Sequence, residues 1–110
     1  MLDQDRAQAT LAHVVGLLSA GDYDGLERLS AGRHLSADYL REAVADYGGT
    51  VLPSPFELHG PEPYDDGLGW FAEADLYTAE EGRSDLTLSV SLQESDGPLY
   101  VVELNELHVL

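Results

Sequence analysis

From residue 68 onward the apolar side chains recur at every second position, whereas before residue 48 they recur at intervals of three and four. The two spacings build different things: a period near 3.6 gives a helix with one apolar stripe, and a period of two gives a strand with one apolar face. A chain that switches between them places helices in its first half and a sheet in its second, and buries one against the other. Its 110 residues fit one domain, residues 1–110, large enough for a core without cross-links. There is no cysteine, which excludes disulfides, thiolate-bound zinc and thiol nucleophiles.

Three helices are expected. Over residues 3–20, Ala7, Leu11, Val14, Val15 and Leu18 form the stripe, Asp3 and Asp5 complement the positive end of the dipole, and Gly21 is a stop. Asp22 caps a short helix over residues 23–30 with Leu26 and Leu29 inward, and Ser36 caps a third over residues 37–47, ended by Gly48-Gly49. Residues 50–67 hold Pro53, Pro55, Pro61 and Pro63 and read as an irregular connection with a short edge strand around Phe56–His59.

The sheet begins at residue 68. Leu68, Trp70, Ala72, Ala74 and Leu76 share one face of a first strand, and Leu86, Leu88, Val90 and Leu92 alternate with polar residues in a second. Ser95-Asp96-Gly97-Pro98 is turn chemistry closing a hairpin onto a third strand. There Tyr100, Val102 and Leu104 point one way while Leu107 and Val109 take the opposite phase, so a bulge near Asn105 is expected. The fold class is α+β, with N-terminal helices packed on a curved antiparallel sheet of three to four strands.

A long helix, then Gly21-Asp22-Tyr23-Asp24-Gly25-Leu26, a third helix and an antiparallel sheet resembles the nuclear transport factor two-like and cystatin-like group. That resemblance implies a ligand pocket between helices and sheet, here lined by Tyr47, Trp70 and Tyr100. The segment Glu80-Glu81-Gly82-Arg83-Ser84-Asp85-Leu86-Thr87, with the closing Leu107-His108-Val109-Leu110, is also similar to a small uncharacterised bacterial domain family, a likeness that implies no activity.

Charge bounds the partners. Twenty-one acids face five arginines and no lysine, and the formal net charge is -16. Residues 1–55 carry eight acids and four arginines; residues 56–110 carry thirteen acids and one arginine, Arg83. Such a surface repels phosphate backbones and anionic lipid, so no nucleic acid and no membrane is expected as a partner. It attracts basic proteins. It also serves solubility, coding bias or salt adaptation, which need no partner at all. Crowded carboxylates repel, so added salt and mild acid are both expected to stabilise the fold. No basic n-region or membrane-length apolar run is present, and the expected location is the cytoplasm.

Specific sites are few. His13, His34, His59 and His108 show no helical or strand spacing that pairs two histidines on one metal, so no metal is expected. Asp22-Tyr23-Asp24-Gly25 lacks the further ligands of a calcium loop, and no glycine-rich strand-to-helix turn or nucleophile elbow occurs, so no cofactor and no catalytic residue is assigned. The pairs Asp65-Asp66 and Glu80-Glu81 fall in turns, where water keeps carboxylates ordinary. Arg83 is expected to pin its own turn by pairing with Glu80, Glu81 or Asp85, or to grip a carboxylate of a partner. Phe71, Tyr77 and Val101 are expected on the outward strand face beside Glu73, Asp75 and Glu103. The partner-binding candidates are therefore Phe71, Tyr77, Arg83 and Asp85.

The function expected from these readings is an interaction module of immunity or accessory type, binding a basic protein or a second copy of itself through an acidic surface. The alternative is a small-ligand binder or enzyme using the helix–sheet pocket.

Overall fold

The computed structural model describes residues 2–30 and 35–109; His34 and Leu110 lie outside them. Each helix forms where its cap dictates. In α1 (Gln4–Ala20) the Asp3 carboxylate accepts the N–H groups of Asp5 and Arg6, and in α2 (Tyr23–Leu29) Asp22 accepts that of Gly25. In α3 (Ala37–Tyr47) Ser36 accepts that of Tyr39. Left-handed backbone at Gly21 (φ 75°) and Gly48 (φ 83°) ends α1 and α3, a conformation that glycine adopts without a Cβ clash.

The sheet is an antiparallel meander in the order β1-β2-β3-β4, with β1 at Val51–Pro63, β2 at Trp70–Thr78, β3 at Gly82–Gln93 and β4 at Val101–Val109. Ser89 pairs with Glu106 and Val90 with Leu104, which leaves Asn105 as the extra residue of the expected bulge and turns Leu107 back into the core. α1 runs along β1, while α2 and α3 reach β4. Leu11, Val14, Val15 and Leu18 join Ala72, Ala74, Leu88, Val90, Leu92 and Leu104 in one cluster, each of these at most 2% exposed. Burial of one such leucine or valine side chain contributes roughly 1.5–3 kcal/mol.

Two expectations are corrected. Residues 51–63 are a full edge strand rather than a connection with a four-residue strand. Pro53, Pro55 and Pro61 fall inside the register breaks between Val51 and Phe56 and between His59 and Glu62, and an edge strand can spare the N–H that proline lacks. Leu68 is 71% exposed instead of inward. The Asp66 carboxylate accepts the Leu68 N–H at 2.9 Å and the Tyr64 N–H bonds Gly69 O at 3.0 Å, so a closed loop holds Leu68 outside the strand.

Both sheet edges are blunted. The β1 edge carries its prolines, and Ser19 Oγ donates to Val51 O at 2.8 Å. On β4 the Leu104 N–H donates to Ser30 Oγ at 3.1 Å, and Tyr39 reaches Leu107 O. Strand-to-strand pairing with another chain is thereby discouraged, and the helix-free face of the sheet is left as its open surface.

Candidate functional site

The β2–β3 hairpin carries Gly82-Arg83-Ser84-Asp85-Leu86-Thr87, and its polar groups are tied down one after another. Ser84 Oγ donates to Leu76 O at 2.7 Å and accepts the Leu86 N–H at 3.2 Å, filling the register break between Asp75 and Tyr77. Beyond that break Arg83 stands opposite Tyr77, and Thr87 opposite Asp75. Tyr77 follows Asp75 by two on the same face, so the guanidinium can turn back across the sheet. Its Nη2 lies 2.9 Å from Asp75 Oδ2 and 3.2 Å from Glu57 Oε2. Thr87 Oγ1 donates to Asp75 Oδ1 at 3.2 Å, and His59 Nε2 on β1 lies 2.7 Å from Asp75 Oδ2. Groups from β1 and β3 thus converge on one carboxylate of β2.

Asp75 keeps 7% of its side chain exposed. Burial pushes its pKa up, but hydrogen bonds from His59, Arg83 and Thr87 together outweigh burial and hold the carboxyl below its ordinary value. The hydrogen bond to Asp75, with the charge of Glu57, raises the Arg83 pKa. Arg83 therefore pins the sheet and not merely its own turn. Its partners are Asp75 and Glu57, whereas the expected partners were the turn acids. Glu80 instead accepts the Thr50 N–H at 2.7 Å, which with the Thr50 hydroxyl lowers its pKa, and Glu81 accepts the Tyr47 hydroxyl at 2.5 Å, which raises the Tyr47 pKa.

Single ligand atoms of Glu57, His59 and Asp75 lie within 4.8 Å of one another, a donor set that histidine spacing did not reveal. The signal was the alternation Glu57-x-His59, which puts both on one strand face once β1 is recognised as a strand. The Arg83 guanidinium lies within reach of two of these donors, Glu57 and Asp75, and offsets part of their charge. The arrangement fixes charge on a surface.

Arg6, which sequence reading passed over, organises the far end. Its Nη2 donates to Ser95 O at 2.9 Å, Gly97 O at 2.8 Å and Leu99 O at 3.3 Å, and Nη1 pairs with Glu94. The Arg6 hydrogen bond holds the Glu94 pKa below its ordinary value. The guanidinium also lies 4.2 Å over the Tyr100 ring, whose hydroxyl accepts the Asp3 N–H at 2.8 Å.

Of the expected pocket lining, Trp70 and Tyr100 meet with ring centroids 5.4 Å apart, whereas Tyr47 stands at the β2–β3 hairpin, its hydroxyl accepting the Asp85 N–H at 3.1 Å. A concavity of about 380 Å³ lies beside Trp70, lined also by Gly67, Leu68, Gly69, Gln93 and Glu94. Phe71 (36% exposed) and Tyr77 share the helix-free face with Glu73 and Asp75 between them, and the aromatic neighbour of Phe71 is Tyr64, at 6.4 Å between centroids. Val101 is 47% exposed at the β4 edge of that face. His13 is exposed, although its place beside the α1 stripe suited partial burial. His108 lies 4.0 Å from Glu73 Oε2 and 3.8 Å from Glu106 Oε2.

No helix among the described residues is long and apolar enough to cross a membrane. No curated protein and no solved structure matches the chain. One family model does, over residues 15–110, from the middle of α1 to the last residue, and by that match the chain belongs to the family described as Domain of unknown function (DUF7668).

Proposed function

We propose that this chain is a non-enzymatic, cytoplasmic interaction module of immunity or accessory type that binds a basic protein through the helix-free face of its sheet. One observation carries the reading: Glu57, Glu62, Glu73, Asp75, Glu103 and Glu106 set their carboxylates on that face, where the arginine among the described residues, Arg83, is already engaged by Asp75 and Glu57. The face thus carries more carboxylates than arginines, and that excess of negative charge speeds the encounter with a cationic partner. Phe71 and Tyr77 add apolar area to the same surface. A second copy of the chain would set like charges face to face, and the blunted edges discourage strand pairing, so a basic partner fits better than a homodimer.

The test is capture from an extract of the native cell with the immobilised chain and with a Glu103→Lys/Glu106→Lys variant confirmed to be folded. Basic proteins retained by the first and lost from the second support the reading. Retention of no basic protein, or equal retention by both, contradicts it.

A further inference from the structure

The register break between His59 and Glu62 lifts Gly60 and Pro61 out of the β1–β2 ladder. It leaves a concavity of about 160 Å³ on the helix-free face, lined by His59, Gly60, Glu62, Phe71 and Glu73. We infer that this concavity receives a lysine or arginine side chain of the partner. The inference rests on the functional reading above and names the contact by which that partner is gripped.

Its walls suit an alkyl stem ending in a cation. Glu62 and Glu73 supply carboxylates from adjacent strands, and Ser89 Oγ donates to Glu73 Oε2 at 3.1 Å, so one of the two is held in place before any partner arrives. The Phe71 ring, tilted at 60° to Tyr64, offers an aromatic surface over which ammonium or guanidinium groups are attracted and along which methylenes pack. Gly60 keeps the wall open: with φ at +88°, a Cβ there would come within 3.0 Å of Phe71 O and 3.1 Å of Glu62 N. Arg83 does not compete for the space, since Asp75 and Glu57 hold its guanidinium. The observed opening, the two carboxylates and the aromatic ring belong to the two strands that meet at one bulge, a place where sheets often re-aim side chains.

The test uses fluorescein-labelled octalysine, read by anisotropy at low salt. Three variants are compared with the unaltered chain: Glu62→Gln/Glu73→Gln in the concavity, Glu42→Gln/Asp46→Asn on α3 with the same change in net charge, and Phe71→Leu with none. The expected results are a loss of about tenfold in affinity for the first, less than about twofold for the second, and several-fold for the third. Equal weakening by the two charge-neutralised variants, or unaltered binding by Phe71→Leu, overturns the concavity while leaving the acidic-face reading in place. If octalysine does not bind the unaltered chain at all, the functional reading itself falls. Circular dichroism of each variant separates lost binding from lost fold.

Discussion

Asp75 Oδ2 and Arg83 Nη2 lie 2.9 Å apart across the β2–β3 hairpin, and the two partners differ sharply in exposure, 7% for the aspartate side chain and 56% for the arginine. The carboxylate has left water and the guanidinium has not. Such a pair is worth more than an ordinary surface ion pair, since the buried member depends on its protein donors, yet less than a fully buried one. A double-mutant cycle with Asp75→Asn and Arg83→Met, read by urea unfolding, is expected to return a favourable coupling, larger than that of an ordinary exposed ion pair. Additive effects of the two substitutions would place the pair among screened surface contacts.

The same carboxylate sets a pH dependence. Asp75, Glu80 and Glu94 all have folded pKa values below their ordinary ones. A depressed folded pKa contributes stability that is complete above the unfolded value and is lost as pH falls through the folded one, so these groups make acid destabilising below about pH 4. These three locally compensated acids set the sign below about pH 4, whereas the stabilisation expected from repulsion belongs to milder acid, near pH 5. Thermal melts between pH 6 and pH 3 should show stability falling below about pH 4. The Asp75→Asn variant should lose less over that range than the unaltered chain. An identical loss in both would show that Asp75 does not carry the effect.

The elements whose formation is local were legible in the sequence. Asp22 and Ser36 cap the helices they precede, the alternation from Leu86 to Leu92 marks β3, and the phase change between Leu104 and Leu107 locates the bulge at Asn105. Of β1 only the Phe56–His59 stretch was legible, because the prolines on either side argue against a strand in general and only its edge position makes them tolerable. The cluster around Asp75 was hidden for a different reason. Its members come from three strands, and which of them meet depends on the register break filled by Ser84. Proximity in sequence pointed Arg83 at Glu80, Glu81 or Asp85, whereas the ladder turned it to Asp75 and Glu57. Arg6 gave no sequence signal, since its partners in the β3–β4 turn lie about ninety residues away.

Arg6 should act as a clamp on that turn. Arg6→Ala removes a donor to the carbonyls of Ser95, Gly97 and Leu99 and is expected to destabilise the fold, lowering the urea midpoint. Amide exchange over residues 95–100 should quicken, and Arg6→Lys should recover only part of the protection because one ammonium cannot reproduce the planar fork. Unchanged exchange in Arg6→Ala would show that the turn holds without it.

The uncompensated acids should make themselves felt in salt. With twenty-one acids against five arginines, screening is expected to raise the melting temperature between about 0.01 M and 1 M sodium chloride, as the Debye length falls from roughly 30 Å to about 3 Å. A flat or falling melting temperature would mean that the acids are well separated or paired.

Titration of the isotope-labelled chain with octalysine, followed by amide and side-chain chemical shifts, tests the central claim most directly, because the spectrum reports which surface the cation meets. The account predicts that the largest changes fall on Gly60, Glu62, Phe71 and Glu73, extend to Glu103 and Glu106, and fade as salt is added. Changes concentrated on the acids of α3, such as Asp38, Glu42 and Asp46, or spread evenly over the molecule, would contradict it.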